Sequence, residues 1–172
     1  GSPSPVEGKV VFDHAFQQTP LVWATPQSAD KSGTVPVIQI QNVDTQSFTY
    51  RVVVYDANQK QWVLASSLTS LSMGWMAMSQ EENSAIPPGV AFQEFGTSPL
   101  RSVDYQFVYQ NPPLVLLALN TNDYSTVGII SLGERTEKSF SWNIQTTLTS
   151  DPTTWVEDHP SMTMQYLVME IV

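Results

Sequence analysis

The sequence predicts an all-β chain: two tandem small antiparallel β-sandwich units of about six strands each, packed together. Three observations carry that expectation. Several stretches alternate apolar and polar residues with period two. No stretch sustains a helical period with caps at both ends. A degenerate set of blocks recurs in the same order at an offset of about 92 residues, as an internal duplication would leave it.

Residues 1–8 (Gly-Ser-Pro-Ser-Pro-Val-Glu-Gly) read as a linker or tag. The first unit, 9–79, opens on Val10-x-Phe12-x3-Phe16-x3-Pro20-Leu21-Val22, repeated as Val103-x-Tyr105-x3-Tyr109-x3-Pro113-Leu114-Val115. Phe48, Tyr50, Val52 and Val54 alternate along one predicted strand; Phe140, Trp142 and Ile144 do so along its counterpart. Trp62-Val63 recurs as Trp155-Val156. Leu71, Met73, Trp75 and Ala77 alternate like Met162, Met164, Tyr166 and Val168. Residues 80–101 bridge the units, and Val90, Phe92 and Phe95 in that stretch suggest a packed hairpin. The second unit spans 102–172, and its run Leu114–Leu119 suits a strand covered on both faces. Most of the 12 prolines fall at strand starts or in loops, where a missing N–H is tolerated. A unit of about 70 residues buries too little alone, so the two are expected to pack on each other.

Composition narrows the function. The 172 residues carry a net charge of −9 with only 13% charged residues, against 41% hydrophobic and 10% aromatic. The core is therefore ample, and the polar surface is mostly Ser, Thr, Gln and Asn. No basic patch exists to neutralise phosphates, which argues against nucleic acid. No apolar run approaches the roughly 18 residues of a membrane helix. With 0 Cys and 2 His, thiolate metal sites, disulfides and nucleophilic triads have little to draw on. Phosphate-binding loops, zinc-protease motifs and nucleophile elbows do not occur. Charge divides unevenly: 9–79 nets zero and 102–172 nets −6.

The blocks Phe12-x3-Phe16-x3-Pro20-x-Val22, Ile40-Gln41-Asn42-Val43-x-Thr45-x2-Phe48 and Trp75-Met76-Ala77 together resemble the H-type lectin pattern. Ala118-Leu119-Asn120-Thr121-Asn122-Asp123 resembles the family's segment after its second strand. The resemblance spans about 9–172 and extends to tandem forms of the domain in bacterial secreted proteins. It implies six-stranded β-sandwiches assembled as trimers or hexamers, sugar sites near subunit interfaces, and an extracellular or cell-surface location. An Asp in the loop after the second strand would hold sugar hydroxyls, which maps to Asp30 and Asp123; Arg51 lies on the kind of strand that supplies the family's Arg, where the second unit has Asn143.

Residue chemistry gives a parallel set of candidates. Asn120, Asn122 and Asp123 combine amides and a carboxylate that suit sugar hydroxyls, and Gln27 with Asp30 forms the corresponding pair; turn formation explains the same residues. Trp62 and Trp155 follow polar, turn-like stretches and could stack on a sugar ring, or pack beside their neighbouring valines. The carboxylate pairs Glu81-Glu82 and Glu157-Asp158 are adjacent in sequence, and adjacent pairs usually do not face each other across a cleft as glycoside hydrolysis requires. Ca²⁺ is conceivable at such loops, but no Asp-rich calcium loop supports it. The expectation is a non-enzymatic carbohydrate- or polysaccharide-binding module of a larger extracellular protein, without a cofactor, nucleic-acid partner or membrane span, and with a homo-oligomer such as a trimer as its assembly. The alternative is a structural, adhesion or oligomerisation module without sugar binding.

Overall fold

The computed structural model describes residues 7–28, 36–56, 60–64, 71–80, 88–98, 100–121, 126–148, 151, 154–157 and 162–171. They form thirteen strands and no helix: β1 (Glu7–Val11), β2 (Leu21–Ser28), β3 (Pro36–Gln41), β4 (Ser47–Asp56), β5 (Gln61–Leu64), β6 (Leu71–Met78), β7 (Val90–Ser98), β8 (Ser102–Asp104), β9 (Leu114–Thr121), β10 (Thr126–Arg135), β11 (Ser139–Leu148), β12 (Trp155–Glu157) and β13 (Met162–Ile171). The all-β class expected from the sequence is the class observed.

Three sheets result. One runs β1-β4-β3-β9-β13-β7, with β5 beside β1 on the same edge of β4; one runs β10-β11-β12, with β8 on β11; the third is the ribbon β2-β6. Pairing is antiparallel except between β3 and β9, which meet in parallel at Ile40 and Asn120. The pairings of β1 to β6 recur in β8 to β13. Val10 opposes Phe48 as Val103 opposes Phe140. Ile38 opposes Val52 as Ile130 opposes Ile144. Leu21 opposes Met78 as Leu114 opposes Met169.

Turn chemistry repeats with different residues. Asp44 Oδ1 accepts the Gln46 and Ser47 N–H groups, both at 2.7 Å, and closes the β3–β4 turn after Asn42, whose φ is 47°. Those N–H donors hold the Asp44 carboxyl below the usual carboxylate range. At the β10–β11 turn, Thr136 Oγ1 accepts the Lys138 and Ser139 N–H groups at 3.1 and 3.0 Å. The Asn-Val-x-Thr-x2-Phe block thus encodes a tight turn.

The core has three clusters. Phe12, Val22, Ile40 and Phe48 form one, between β2 and the β1-β4-β3 wing of the large sheet. Leu21, Trp23, Ala118 and Leu167 form another, between the opposite face of β2 and the β9-β13-β7 wing. The third lies between that wing and the β10-β11 sheet, around Phe140, Trp142, Ile144 and Met164. The ribbon is therefore clasped by both wings. β2 buries alternate residues on both faces, Leu21 at 1% exposure and Val22 at 0%. Val115 and Ala118 of β9 likewise face different clusters, which explains its unbroken apolar run.

The described strand of the bridge, β7, pairs with β13 rather than within the bridge. Residues 81–87 and 99 of the bridge, where a hairpin partner was expected, lie outside the described residues; among those described, β7 is the one strand. Its Glu94 is buried; one carboxylate oxygen accepts the Tyr109 hydroxyl at 3.0 Å and the other the Gln106 N–H at 2.9 Å. That carboxylate ties β7 to the segment leading into β9. Replacement of Glu94 by Ala leaves both donors without their acceptor and is expected to cost about 1–3 kcal/mol, less the desolvation relieved with the charge. Urea unfolding should show a lower midpoint at unchanged slope, with Glu94→Gln recovering part of the loss.

Candidate functional site

The four predicted site residues whose side chains are described, Gln27, Arg51, Trp62 and Asn120, lie on four different strands. Gln27 is exposed on β2, its amide close over Gly74 and its carbonyl accepting the Ser72 hydroxyl. Trp62 lies half-buried on β5 and meets Tyr55 edge-on at 5.7 Å; its indole N–H has no acceptor among the described residues. Trp155 is in β12 opposite Thr147, and its side chain lies outside the described atoms, as do Asp30, Asn122 and Asp123 altogether. Asn120 is half-buried beside the β3–β9 bridge.

Arg51 requires correction. It is 3% exposed, and its Nε donates to Gln39 Oε1, while Gln39 Nε2 donates to the Thr126 carbonyl at 2.8 Å. The guanidinium thereby joins β4 and β3 to β10 instead of facing a ligand. At the equivalent position Asn143 accepts a hydrogen bond from Arg101, whose guanidinium lies 5.5 Å from the centre of the Trp142 ring. Both halves thus place a guanidinium at this point, by different routes.

A polar groove of about 200 Å³ opens elsewhere, lined by Asn111, Pro112, Pro113, Leu114, Arg135, Glu170 and Ile171. Arg135 ends β10, and Glu170 lies near the end of β13, directly opposite Phe92 of β7. Glu170 Oε1 accepts the Gln110 N–H at 3.1 Å. Beside it, the Phe92 and Phe107 rings stack at 5.9 Å between centroids, and each is about half exposed. The 105–113 segment is held firmly: Tyr105 and Tyr109 N–H groups donate to the Lys138 and Glu137 carbonyls, and Glu94 holds the Tyr109 hydroxyl. The groove therefore offers an amide on a braced loop with a guanidinium and a carboxylate from two strand ends, next to an aromatic surface.

None of these residues belongs to a sequence motif. One signal was available in the repeat. At the offsets set by Pro20/Pro113, Asp44/Thr136 and Met78/Met169, Asn111, Arg135 and Glu170 correspond to Gln18, Val43 and Ser79. The charged pair is thus peculiar to the second half, as is Phe92, which comes from the bridge.

A larger concavity, about 570 Å³, lies between the halves, with Trp23, Ile38, Met76, Leu119 and Ile130 in its walls. Neither concavity is lined by Gln27, Arg51, Trp62 or Asn120. Among the described residues, no group of three or more His, Asp or Glu side chains is placed to hold a metal ion.

Beneath the groove, burial and then Glu94 push up the phenols of Tyr109 and Tyr166; burial raises Tyr105 to about 12, with Glu94 adding to it and Arg135 opposing. Unfolding returns each phenol to about 10. Between those values the folded chain holds more protons than the unfolded one, so stability falls as pH rises from about 10 toward 12. Tyr105, Tyr109 and Tyr166 should ionise in step with alkaline unfolding. Tyrosinate absorbance followed alongside circular dichroism checks this.

Set against known proteins, the chain matches no family model, no curated protein and no solved structure, so its likeness to H-type lectins rests on the sequence blocks alone.

Proposed function

We propose that the chain is a non-catalytic carbohydrate-binding module of a larger extracellular protein, and that its sugar seats in the groove of Asn111, Arg135 and Glu170. The observation that carries this reading is the pairing of that polar groove with the half-exposed Phe92–Phe107 stack. A sugar ring has an apolar face of C–H groups and a rim of hydroxyls. An aromatic surface takes the face. An amide, a guanidinium and a carboxylate take the rim, since they supply donors and acceptors together. The groove is smaller than the roughly 300–1,000 Å³ of sites for drug-sized ligands, which favours a single sugar unit over a long segment.

The charge pattern adds support. Glu170 already holds a backbone N–H, so its carboxylate is oriented before any ligand arrives. The first half, with Gln18, Val43 and Ser79 at the matching positions, lacks the charged pair, so one sugar site per chain is expected.

A glycan array of neutral and acidic sugars, followed by calorimetry, tests the proposal. Binding should saturate at one site per chain. Glu170→Gln and Phe107→Ala should each weaken it about tenfold or more, because a hydrogen bond to a charged group contributes about 1.5–3 kcal/mol. Failure to bind any glycan, with a stable oligomer in light scattering, would instead favour the structural or adhesion role.

A further inference from the structure

We propose that two copies of the chain pair along the edge of β6 that faces away from β2. The strands run antiparallel about a twofold axis at Gly74, so the ribbon β2-β6 becomes half of a four-stranded sheet in a symmetric dimer. The inference does not rest on the sugar reading, since no residue of β6 lines that groove.

The edge itself comes first. A strand at a sheet edge presents unpaired N–H and C=O groups, and natural proteins blunt such edges with charged residues, Pro or short length. The other edges of this fold are blunted in those ways. β1 carries Lys9, β7 Glu94, β8 Asp104, β10 Glu134 and Arg135, β12 Glu157 and β2 Pro26, while β5 is four residues long. β6 has none of these devices. It runs for eight residues, Leu-Ser-Met-Gly-Trp-Met-Ala-Met, and pairs with β2 without a register shift. Among the described strands, β2 is its one partner.

The repeat shows what that edge lacks. β6 corresponds to β13, with Trp75 at the place of Tyr166 and Met76 at that of Leu167. β13 is paired on both sides, by β9 and by β7. There Tyr166 lies over Gly96 of β7, and Leu167 is 1% exposed, opposite Phe95. Trp75 and Met76 are 45% and 36% exposed. No described strand of the first half takes the place of β7, because β1 already runs along β4 from Glu7. The scaffold thus has a seat for one more antiparallel strand beside β6.

Charge and symmetry name the occupant. A net charge of −9 keeps copies of the chain apart wherever charged surfaces meet. The ribbon, Leu21–Ser28 and Leu71–Met78, contains no charged residue, so copies can approach there. Twofold dimers are the commonest oligomers, and they use one patch twice. About Gly74, Trp75 meets the second copy's Met73 on one face of the sheet, and Met76 meets the second copy's Ser72 on the other. A large side chain opposes a flexible or small one each time, and Gly74 adds none at the axis. Trp75 keeps its inner contacts with Phe12 and Phe48, at 6.0 and 5.7 Å between ring centres, while its outer part is covered.

Sedimentation velocity of the full chain over a concentration series tests the proposal. Dimer should grow with concentration. Amides of Leu71–Met78 that point away from β2 should then exchange hydrogen more slowly, and those of β7 should not change. Met76→Lys enters the interface twice and should weaken the dimer about tenfold or more. Thr97→Lys, at an exposed position of the β7 edge, should leave it intact. Ser72→Lys gives the same reading should Met76→Lys not fold, as judged by circular dichroism. The chain has 0 Cys, so a Ser72→Cys/Met76→Cys variant carries the sole thiols, and a short bis-maleimide should link two chains through them. A chain monomeric at every concentration, a dimer indifferent to the lysine variants, exchange in β6 that ignores concentration, or absence of the link would each overturn the proposal.

Discussion

Strand β2 must be covered on both faces, and the packing of the large sheet follows from that requirement. Leu21, Val22 and Trp23 are consecutive, and successive side chains on a strand point to opposite sides. All three are nevertheless buried. A single flat layer can cover only one face, so each face needs its own cover. The large sheet supplies both covers: its β1-β4-β3 wing packs on Val22 and its β9-β13-β7 wing on Leu21 and Trp23. Fully burying one such aliphatic side chain contributes about 1.5–3 kcal/mol. The parallel contact of β3 with β9 is the seam that lets one sheet reach both sides. Neither half can be detached without uncovering a face of β2.

Much of this was legible in the sequence, for a physical reason. Where one face of a strand is wet and the other dry, alternation records it, as in Phe48, Tyr50 and Val52 or in Phe140, Trp142 and Ile144. Strands dry on both faces leave continuous runs instead, as Leu114–Leu119 does. The repeated blocks also aligned the pairings, because Val10, Phe48 and Leu21 do in one half what Val103, Phe140 and Leu114 do in the other. The partner of β7 was not legible. The bridge has no counterpart in the repeat, so nothing local says that Phe95 should oppose Leu167. Burial of Arg51 was not legible either. It depends on Gln39, which joins Arg51 to the Thr126 carbonyl at the start of β10, a long-range contact that leaves no mark near residue 51.

The groove was hidden for a related cause. Asn111, Arg135 and Glu170 are far apart in the chain, and each sits at a strand end or in a loop, where any polar residue is ordinary. Only comparison of the halves distinguishes them. Positions that must agree for the fold to repeat do agree: aromatic at Phe12 and Tyr105, Phe at 48 and 140, a turn acceptor at Asp44 and Thr136. Other positions diverge, and Asn111, Arg135 and Glu170 are three of them.

The same logic assigns the bridge its part. The duplicated strands repeat one another's pairings, so neither half differs from the other in scaffold. The bridge breaks that equality by adding β7 to the second half alone. With β7 come Phe92, which extends the aromatic surface, and Glu94, which braces the loop carrying Asn111. A carboxylate as buried as Glu94 would be costly without partners; two donors offset that cost, and both come from the segment that the groove needs held still. Arg135 and Glu170 stand where the first half has Val43 and Ser79. The pairings of β1 to β6 recur in β8 to β13, and β7 has no counterpart among the described strands.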